Sequence, residues 1–231
     1  METIYTIPVN EAFDACTGEN KDKNCPFCEM RRVLEKNEIE LILGASMMEP
    51  DTRIKTNEMG FCSRHFSKML RQKNRLGLAL MLESHIAHVN KEADSFLFPE
   101  KKLKKIECSC YVCSRIEYHF TRMLGTAADL YESDRNFEEK VGKVGYYCLP
   151  HYVAFIEAAK KSLKKGKASD LEKTVKRVNG AFLSEIGRDV SWFCKKFDYR
   201  YDSEPWGNAK DAPERAIKFL CGDDTDVGEA K

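Results

Sequence analysis

The stretch NCPFCEM at residues 24–30 determines how this sequence is organised, because a matching stretch, SCYVCSR, occurs at residues 109–115. A second matching pair, GFCSRHF at 60–66 and YYCLPHY at 146–152, shares the pattern Cys-x-x-His. The two Cys-x-x-Cys motifs are offset by 85 positions and the two Cys-x-x-His motifs by 86. Because a nearly constant offset is typical of an internal repeat, the sequence predicts two copies of one Cys-x-x-Cys…Cys-x-x-His unit.

The residue types and their spacing point to metal binding. A two-residue spacer at a tight turn or helix start lets both side chains of a pair face one point, and two such pairs form a closed tetrahedral Cys3His set that suits Zn2+. We therefore predict two structural zinc sites, one in each repeat. The first is expected from Cys25, Cys28, Cys62 and His65, and the second from Cys110, Cys113, Cys148 and His151.

Other chemistry is compatible with the same motifs. Three cysteines and one histidine can also hold an iron-sulfur cluster, and Cys108 lies close enough to Cys110 in sequence to act as an accessory ligand. The segment CPFC at 25–28 also resembles the redox motif of glutaredoxins, in which a thiolate at a helix start attacks disulfides. The polar residues 17–24 provide no strand before this motif, as a glutaredoxin would have. An iron-sulfur or thiol redox protein is therefore the alternative to a zinc protein.

The charge of the chain indicates no particular class of partner. Lysine and arginine number 38 and aspartate and glutamate 37, so nucleic-acid or membrane binding would have to come from a local patch. Two lysine clusters are candidates for a nucleic-acid surface, although such runs are more often solvated helix faces. They are Lys101, Lys102, Lys104 and Lys105, and Lys160, Lys161, Lys164, Lys165 and Lys167.

The N-terminal residues 1–16 have no basic cluster, and Pro8 interrupts their apolar run, so no secretion signal is predicted. No segment is apolar over the roughly 18 residues that a membrane span needs, and we expect no membrane partner. Ten cysteines in a chain without a signal favour metal ligation in the reducing cytoplasm over disulfides. No nucleotide-binding, nucleophile-elbow or zinc-protease motif occurs, so the sequence favours a non-enzymatic role.

The apolar pattern predicts a mainly α fold with two pseudo-repeated helical halves, each organised on a Cys3His site, plus a long C-terminal helix. The halves are placed at residues 1–100 and 101–222, with a boundary between 95 and 108 and a disordered acidic tail at 223–231. Each Cys-x-x-Cys and each Cys-x-x-His is expected to start a helix. Residues 48–59 and 133–146 are expected to be loops.

Three further expectations concern single elements. One long helix is predicted after His65, with a possible break near Gly77. The long C-terminal helix is expected to open with a capping box at 169–172 and to bury the stripe Leu171, Val175, Val178, Phe182, Ile186, Val190, Phe193 and Phe197. The only strand-like signal lies at Ile4 to Val9.

The sequence resembles a family of functionally uncharacterised bacterial proteins of about this length. The resemblance lies in IYTIPVNEAF at 4–13, the motifs Cys-Pro-Phe-Cys, Gly-Phe-Cys-x-x-His and Tyr-Cys-x-x-His, and the C-terminal FDY at 197–199 and RAI at 215–217. Some members of that family carry a transporter substrate-binding label, but the alternating strands and helices of a two-lobed binding protein are missing here. The leading hypothesis is thus a cytoplasmic zinc-binding helical protein that acts as an interaction or adaptor module with an unknown protein partner. A nucleic-acid-binding protein is a further alternative.

Overall fold

The computed structural model describes residues 3–18 and 24–223. These ranges contain eleven α-helices and no strand, as the predicted mainly α fold requires. The helices are Thr6–Asp14 (α1), Pro26–Leu43 (α2), Pro50–Met59 (α3), Ser63–Arg71 (α4), Arg75–Ala93 (α5), Pro99–Glu107 (α6), Tyr111–Ser133 (α7), Arg135–Lys143 (α8), Leu149–Ser162 (α9), Lys165–Lys195 (α10) and Ala212–Cys221 (α11). Short 3-10 helices lie at Thr3–Tyr5, Ala45–Met48, Tyr199–Tyr201 and Gly207–Ala209.

The chain divides into two compact units. The terminal unit comprises Met1–Met30 together with Thr121–Lys231, and the central unit comprises Arg31–Phe120. The chain passes from one unit to the other within α2 and again within α7. This division differs from the one expected from the repeat, whose boundary between residues 95 and 108 falls inside the central unit. Residues 224–231 of the predicted acidic tail lie outside the described residues.

The terminal unit is built on a cluster of aromatic side chains. Phe13 packs against Phe27 and Phe137, with ring centroids 5.7 and 4.6 Å away, and Phe27 packs against Phe155 at 4.8 Å. These four rings and that of Tyr147 are completely buried. Burial of such large apolar rings is the main source of stability in this unit.

The long helix α10 packs in the terminal unit largely as predicted. The apolar stripe from Leu171 to Ile186 is buried, but Phe197 lies beyond the helix and is 76% exposed. The helix begins at Lys165, one turn before the predicted capping box, because Lys164 already accepts the first backbone hydrogen bond, from the amide of Ala168. The predicted helix start was therefore wrong by one turn, since buried Ala168 extends the packed face toward the N-terminus.

The central unit has an aliphatic core. Its buried residues come from α2, α4, α5, the start of α7 and the turn before α4, and include Ile39, Ile42, Leu43, Phe61, Met69, Leu78, Met81, Val112 and Ile116. The helix predicted after His65 is two helices, and the break lies at residues 72–74 and not at Gly77. Lys73 there has a left-handed φ of 61°, and the Asn74 side chain caps α5 by accepting a hydrogen bond from the Gly77 amide.

Both segments predicted to be loops contain a helix. Helix α3 starts at Pro50 and ends at Met59, and the next residue, Gly60, has a left-handed φ of 61°. Helix α8 starts after Asp134, whose carboxylate accepts hydrogen bonds from two amides of the first turn, and it buries Phe137 and Val141. The strand-like signal at Ile4 to Val9 is helical too.

Candidate metal centres

The structure brings the eight predicted donors into two groups. The terminal site comprises Cys25, Cys28, Cys148 and His151, and the central site comprises Cys62, His65, Cys110 and Cys113. Within each group the candidate ligand atoms all lie within 4.8 Å of one another. The predicted grouping was wrong, because each site takes its Cys-x-x-Cys from one repeat and its Cys-x-x-His from the other. The two sites are therefore nested along the chain instead of following one another.

Backbone contacts in the central unit explain its grouping. The amide of Tyr111 donates to the carbonyl of Gly60 at 3.0 Å, and the Ser109 hydroxyl donates to the carbonyl of Met59 at 2.7 Å. These bonds hold the start of α7 beside the turn that precedes α4. Gly60 is required there, since a Cβ atom would lie 2.8 Å from the His85 ring and its φ is left-handed. The spacing within each Cys-x-x-Cys and Cys-x-x-His motif is compatible with either grouping of the motifs. The packing of α7 against the turn before α4 therefore determines which motifs pair.

All four ligand pairs have the same local geometry. In each pair the first cysteine lies immediately before a helix, and its carbonyl accepts the first helical hydrogen bond. The second donor lies three residues later, in the first turn. Two helix N-termini, each with a partial positive charge, therefore meet at every site, where they stabilise thiolates. That field suits a Cys3His set, which leaves one net negative charge around Zn2+.

The donor spacing in the terminal site fits a single tetrahedral ion. Zn–S bonds of ~2.3 Å and Zn–N bonds of ~2.0 Å imply edges of about 3.5–3.8 Å between donor atoms. The Sγ atoms of Cys28 and Cys148 are 3.6 Å apart, and His151 Nδ1 lies 3.8, 3.4 and 3.2 Å from the Sγ atoms of Cys25, Cys28 and Cys148. The histidine thus presents Nδ1 to the three sulfurs.

The central site has the same spacing. The Nδ1 atom of His65 lies 3.2, 3.2 and 3.4 Å from the Sγ atoms of Cys62, Cys110 and Cys113, and the Cys62 and Cys113 sulfurs are 4.0 Å apart. Three thiols and one imidazole at these distances form a donor set suited to zinc. The residues of both sites therefore fit the predicted ion.

The two sites differ in their exposure. All four donors of the terminal site are buried, whereas Cys62 is half-buried and Cys113 exposed in the central site. Gly222 and Asp223, which follow α11, add to the cover of the terminal site. There the amide of Asp223 donates to Cys28 Sγ at 3.3 Å, and Gly222 lies against the sulfurs of Cys28 and Cys148.

The central site has a carboxylate behind its histidine, which sequence reasoning missed. Glu35 accepts a hydrogen bond from His65 Nε2 at 3.0 Å, so the ring is oriented with Nδ1 toward the sulfurs. The same carboxylate pairs with Arg64 at 2.7 Å and Lys68 at 2.5 Å. A carboxylate behind a histidine ligand fixes its tautomer and raises its basicity. Glu35 carries no sequence signal, because it is one of several acidic residues on α2.

The pKa values of the central donors reflect this arrangement. Burial raises the pKa of Glu35, but hydrogen bonds from His65 and Lys68 and the charge of Arg64 outweigh it and lower the pKa to about 2. Burial lowers the pKa of His65, but hydrogen bonds with Cys110 and Glu35 raise it to about 9. Burial raises the pKa of Cys110, but the hydrogen bond with His65 and two backbone amides lower it to about 6. An ion at this site would displace the remaining thiol and imidazole protons, so its affinity falls as the pH falls.

The thiols of the terminal site are less acidic than that of Cys110, and burial likewise raises the pKa of Cys113 in the central site to about 12. Burial is the largest of the effects that raise the pKa of Cys25 well above its usual range. The hydrogen bond with Cys148 lowers the pKa of Cys28, but the hydrogen bond with Cys25 and burial outweigh it, so that this pKa is also raised. Thiols in this environment keep their protons at neutral pH unless a cation is close. Binding of a metal to them must release protons.

The remaining candidates lie outside the two donor groups. Cys108 is exposed at the end of α6 and belongs to neither group. The α6 lysines are exposed in the central unit, and Lys160, Lys161, Lys164 and Lys165 are exposed in the terminal unit. Lys102 pairs with Glu92 and Lys160 with Glu172, which reduces the positive charge of both clusters. No described helix has the length and apolar character needed to cross a membrane.

Comparison with known proteins gives the family of the chain. The sequence profile of DUF6062, a family of unknown function, matches residues 1–227. The chain belongs to this family. Neither the curated proteins nor the solved structures contain a match. The expected membership of a family without a known function is thus confirmed, whereas the transporter substrate-binding label stays untested.

Proposed function

We propose that this member of DUF6062 is a cytoplasmic zinc protein in which two structural Cys3His sites hold helices in place for binding to a protein partner. The observation that carries the proposal is the completeness of both donor sets. Four protein donors at tetrahedral spacing surround each site. An ion held in this way has no position left for a substrate, so its role is to stabilise the fold.

The spacing also favours one ion over an iron-sulfur cluster. In a cluster, the protein ligands bind different iron atoms that are bridged by sulfide, so ligand atoms on different irons lie farther apart than those around one ion. The donors here lie within 4.8 Å of one another in both sites. Zinc has no redox chemistry and prefers a tetrahedral set of nitrogen and sulfur ligands, which agrees with this geometry.

The ligand chemistry supports a reducing compartment. All ten cysteines are free thiols, although several sulfurs lie within 4 Å of another. In an oxidising compartment such neighbours would form disulfides and could no longer bind zinc. A cytoplasmic location therefore suits both sites.

Elemental analysis tests the metal proposal most directly. Protein purified without oxygen is expected to contain two zinc ions per chain and to show no visible absorption. Replacement by Co2+ should give the intense visible bands of a tetrahedral sulfur and nitrogen site, without change when small anions are added. Iron with acid-labile sulfide would overturn the zinc assignment in favour of the iron-sulfur alternative. Cobalt bands that shift with added anions would reveal an open position and favour a catalytic role.

A further inference from the structure

The loop between α5 and α6 exposes three consecutive large apolar side chains. We call residues Ser95–Phe98 the apolar loop. Phe96 is 98% exposed, Leu97 62% and Phe98 58%. Single exposed apolar residues are common, but a contiguous group of this size is typical of an interaction site. Because the net charge of the chain is close to zero, an interaction surface has to be a local one, such as this loop and its surroundings.

The apolar loop is held in its projecting conformation. Phe98 has a left-handed φ of 52°, which is unusual for an aromatic residue and needs support from its surroundings. Its carbonyl accepts hydrogen bonds from the amides of Lys101 and Lys102, at 3.1 and 3.3 Å. The ammonium group of Lys102 donates to the Ser95 hydroxyl at 2.8 Å. The first turn of α6 thus fixes both ends of the loop.

Basic side chains lie beside this loop on α6. Lys101, Lys104 and Lys105 are exposed on α6, while Lys102 pairs with Glu92 at 2.9 Å. The Lys101 ammonium lies 4.4 Å from the centre of the Phe98 ring. Two acidic residues, Glu100 and Glu107, lie near the ends of the helix. The half-buried residues Leu103 and Ile106 alternate with the lysines. An apolar tip therefore stands next to a helix surface that is basic.

We infer that the apolar loop and the lysines of α6 form a peripheral binding surface for an anionic lipid bilayer. This departs from the expectation of no membrane partner, which was argued only from the absence of a segment that could span a membrane. Apolar side chains at a projecting tip can enter the region between headgroups and acyl chains, while lysines beside them contact the lipid phosphates. The surface is complementary to such a bilayer in both polarity and charge. No shape match is required of the partner, which suits three consecutive side chains on a loop.

A single-stranded nucleic acid fits this surface less well. Base stacking needs a series of open aromatic faces, but only the Phe96 ring is fully open, because the Lys101 ammonium covers one face of Phe98 and Leu97 has no aromatic face. The lysines alone would give binding that depends on charge but not on the loop. The apolar loop and the lysines are therefore expected to make separate contributions to bilayer binding, and variants of each can measure them.

Cosedimentation of the full-length, metal-loaded protein with vesicles tests the inference. We expect binding to phosphatidylcholine vesicles that contain phosphatidylserine and little binding to phosphatidylcholine alone. The double variant Phe96→Ser/Leu97→Ser should lower the partition coefficient at least about tenfold, because burial of both side chains is lost. The triple variant Lys101→Glu/Lys104→Glu/Lys105→Glu should remove the dependence on phosphatidylserine.

Matched variants in the terminal unit provide controls. Tyr199→Ser removes another exposed ring, and Lys161→Glu/Lys164→Glu/Lys165→Glu removes another set of exposed lysines. Both should bind vesicles like the unaltered protein. The zinc content is measured in every sample, so a failure of membrane binding is distinguishable from a failure of the metal proposal.

A spectroscopic signal separates insertion from adsorption. Phe96→Trp places an indole at the tip, and its fluorescence should shift to shorter wavelength and be quenched by brominated lipid more than that of the native tryptophans. Absence of vesicle binding, or equal binding by Phe96→Ser/Leu97→Ser, would overturn the inference. The inference would also be overturned if the protein bound a single-stranded oligonucleotide and not vesicles, and if the same variants lost that binding. The surface would then be a nucleic-acid-binding surface.

Discussion

The terminal and central sites have the same ligand types and the same helix-start geometry but different surroundings. Every donor of the terminal site is buried, the His151 ring packs against Phe27, and Gly222 and Asp223 lie against the site. The central site exposes Cys113 but has Glu35 behind its histidine, paired with two basic residues. One site is therefore protected by burial and the other by its network of charges. Two sites with the same ligand types can therefore release their metal ions at different rates.

The largest effect is expected from variants that test the grouping. Cys25→Ser/Cys62→Ser removes one ligand from each site and should lose both ions. Because a structural zinc site contributes ~10 kcal/mol or more, such a chain should not fold. Cys25→Ser/Cys148→Ser removes two ligands from the terminal site alone, so it should keep one ion and the central unit's helices. Metal content by elemental analysis and helix content by circular dichroism measure the outcome. If each repeat formed its own site, the two results would be exchanged.

The second prediction concerns the order of metal release. A chelating dye should remove one ion quickly and the other at least about tenfold more slowly, because attack on a metal centre requires access to its ligands. The fast ion should belong to the central site, since Cys113 is exposed. Cys113→Ser should abolish the fast phase and Cys28→Ser the slow one. The opposite assignment would mean that burial does not control lability here.

Glu35→Gln should lower the affinity of the central site for its ion without unfolding the chain. Loss of a carboxylate behind a histidine ligand typically costs ~10–100-fold in metal affinity. Competition with a chelator of known affinity measures the change, and Glu40→Gln, an exposed carboxylate on the same helix, is the control. Equal affinities in the two variants would show that the contact with His65 contributes nothing to binding.

The smallest effect is expected at Gly222. Its φ of 80° is left-handed, so Gly222→Ala should cost ~1 kcal/mol in the free energy of unfolding by urea. Gly207 has a φ of 55°, and a Cβ atom added there would have no neighbour within 4 Å, so Gly207→Ala carries the same strain away from the site. Only Gly222→Ala should speed release of the slow ion. Identical release rates would mean that the chain after α11 does not protect the terminal site.

Sequence reasoning named the eight residues that the structure brings into two candidate groups, but not their grouping. The motif spacing identifies Cys25 or Cys148 as a ligand with no knowledge of the fold. Both groupings satisfy that spacing equally, and the choice depends on long-range contacts such as that between Tyr111 and Gly60. Spacing carries no information on such contacts.

The predicted helices were confirmed where apolar residues recur strongly, as in α7 and α10. Helix α3 was missed because it buries only Thr56 and therefore has almost no apolar periodicity. It is held by its neighbours in the central unit, which a single sequence does not reveal. The charged network around Glu35 was not predicted either, because it depends on contacts between α2 and α4 that the sequence alone does not reveal.

The nested arrangement has a consequence for biosynthesis. Cys25 and Cys28 leave the ribosome first, and the next donors to follow are Cys62 and His65, which complete a Cys3His set of the wrong membership. The correct partners of the first pair, Cys148 and His151, are synthesised much later. Zinc that reaches the nascent chain early would therefore stabilise a mispaired intermediate. The order in which metal and chain meet would then be part of how this protein matures, and delayed metallation would raise the yield of the native form.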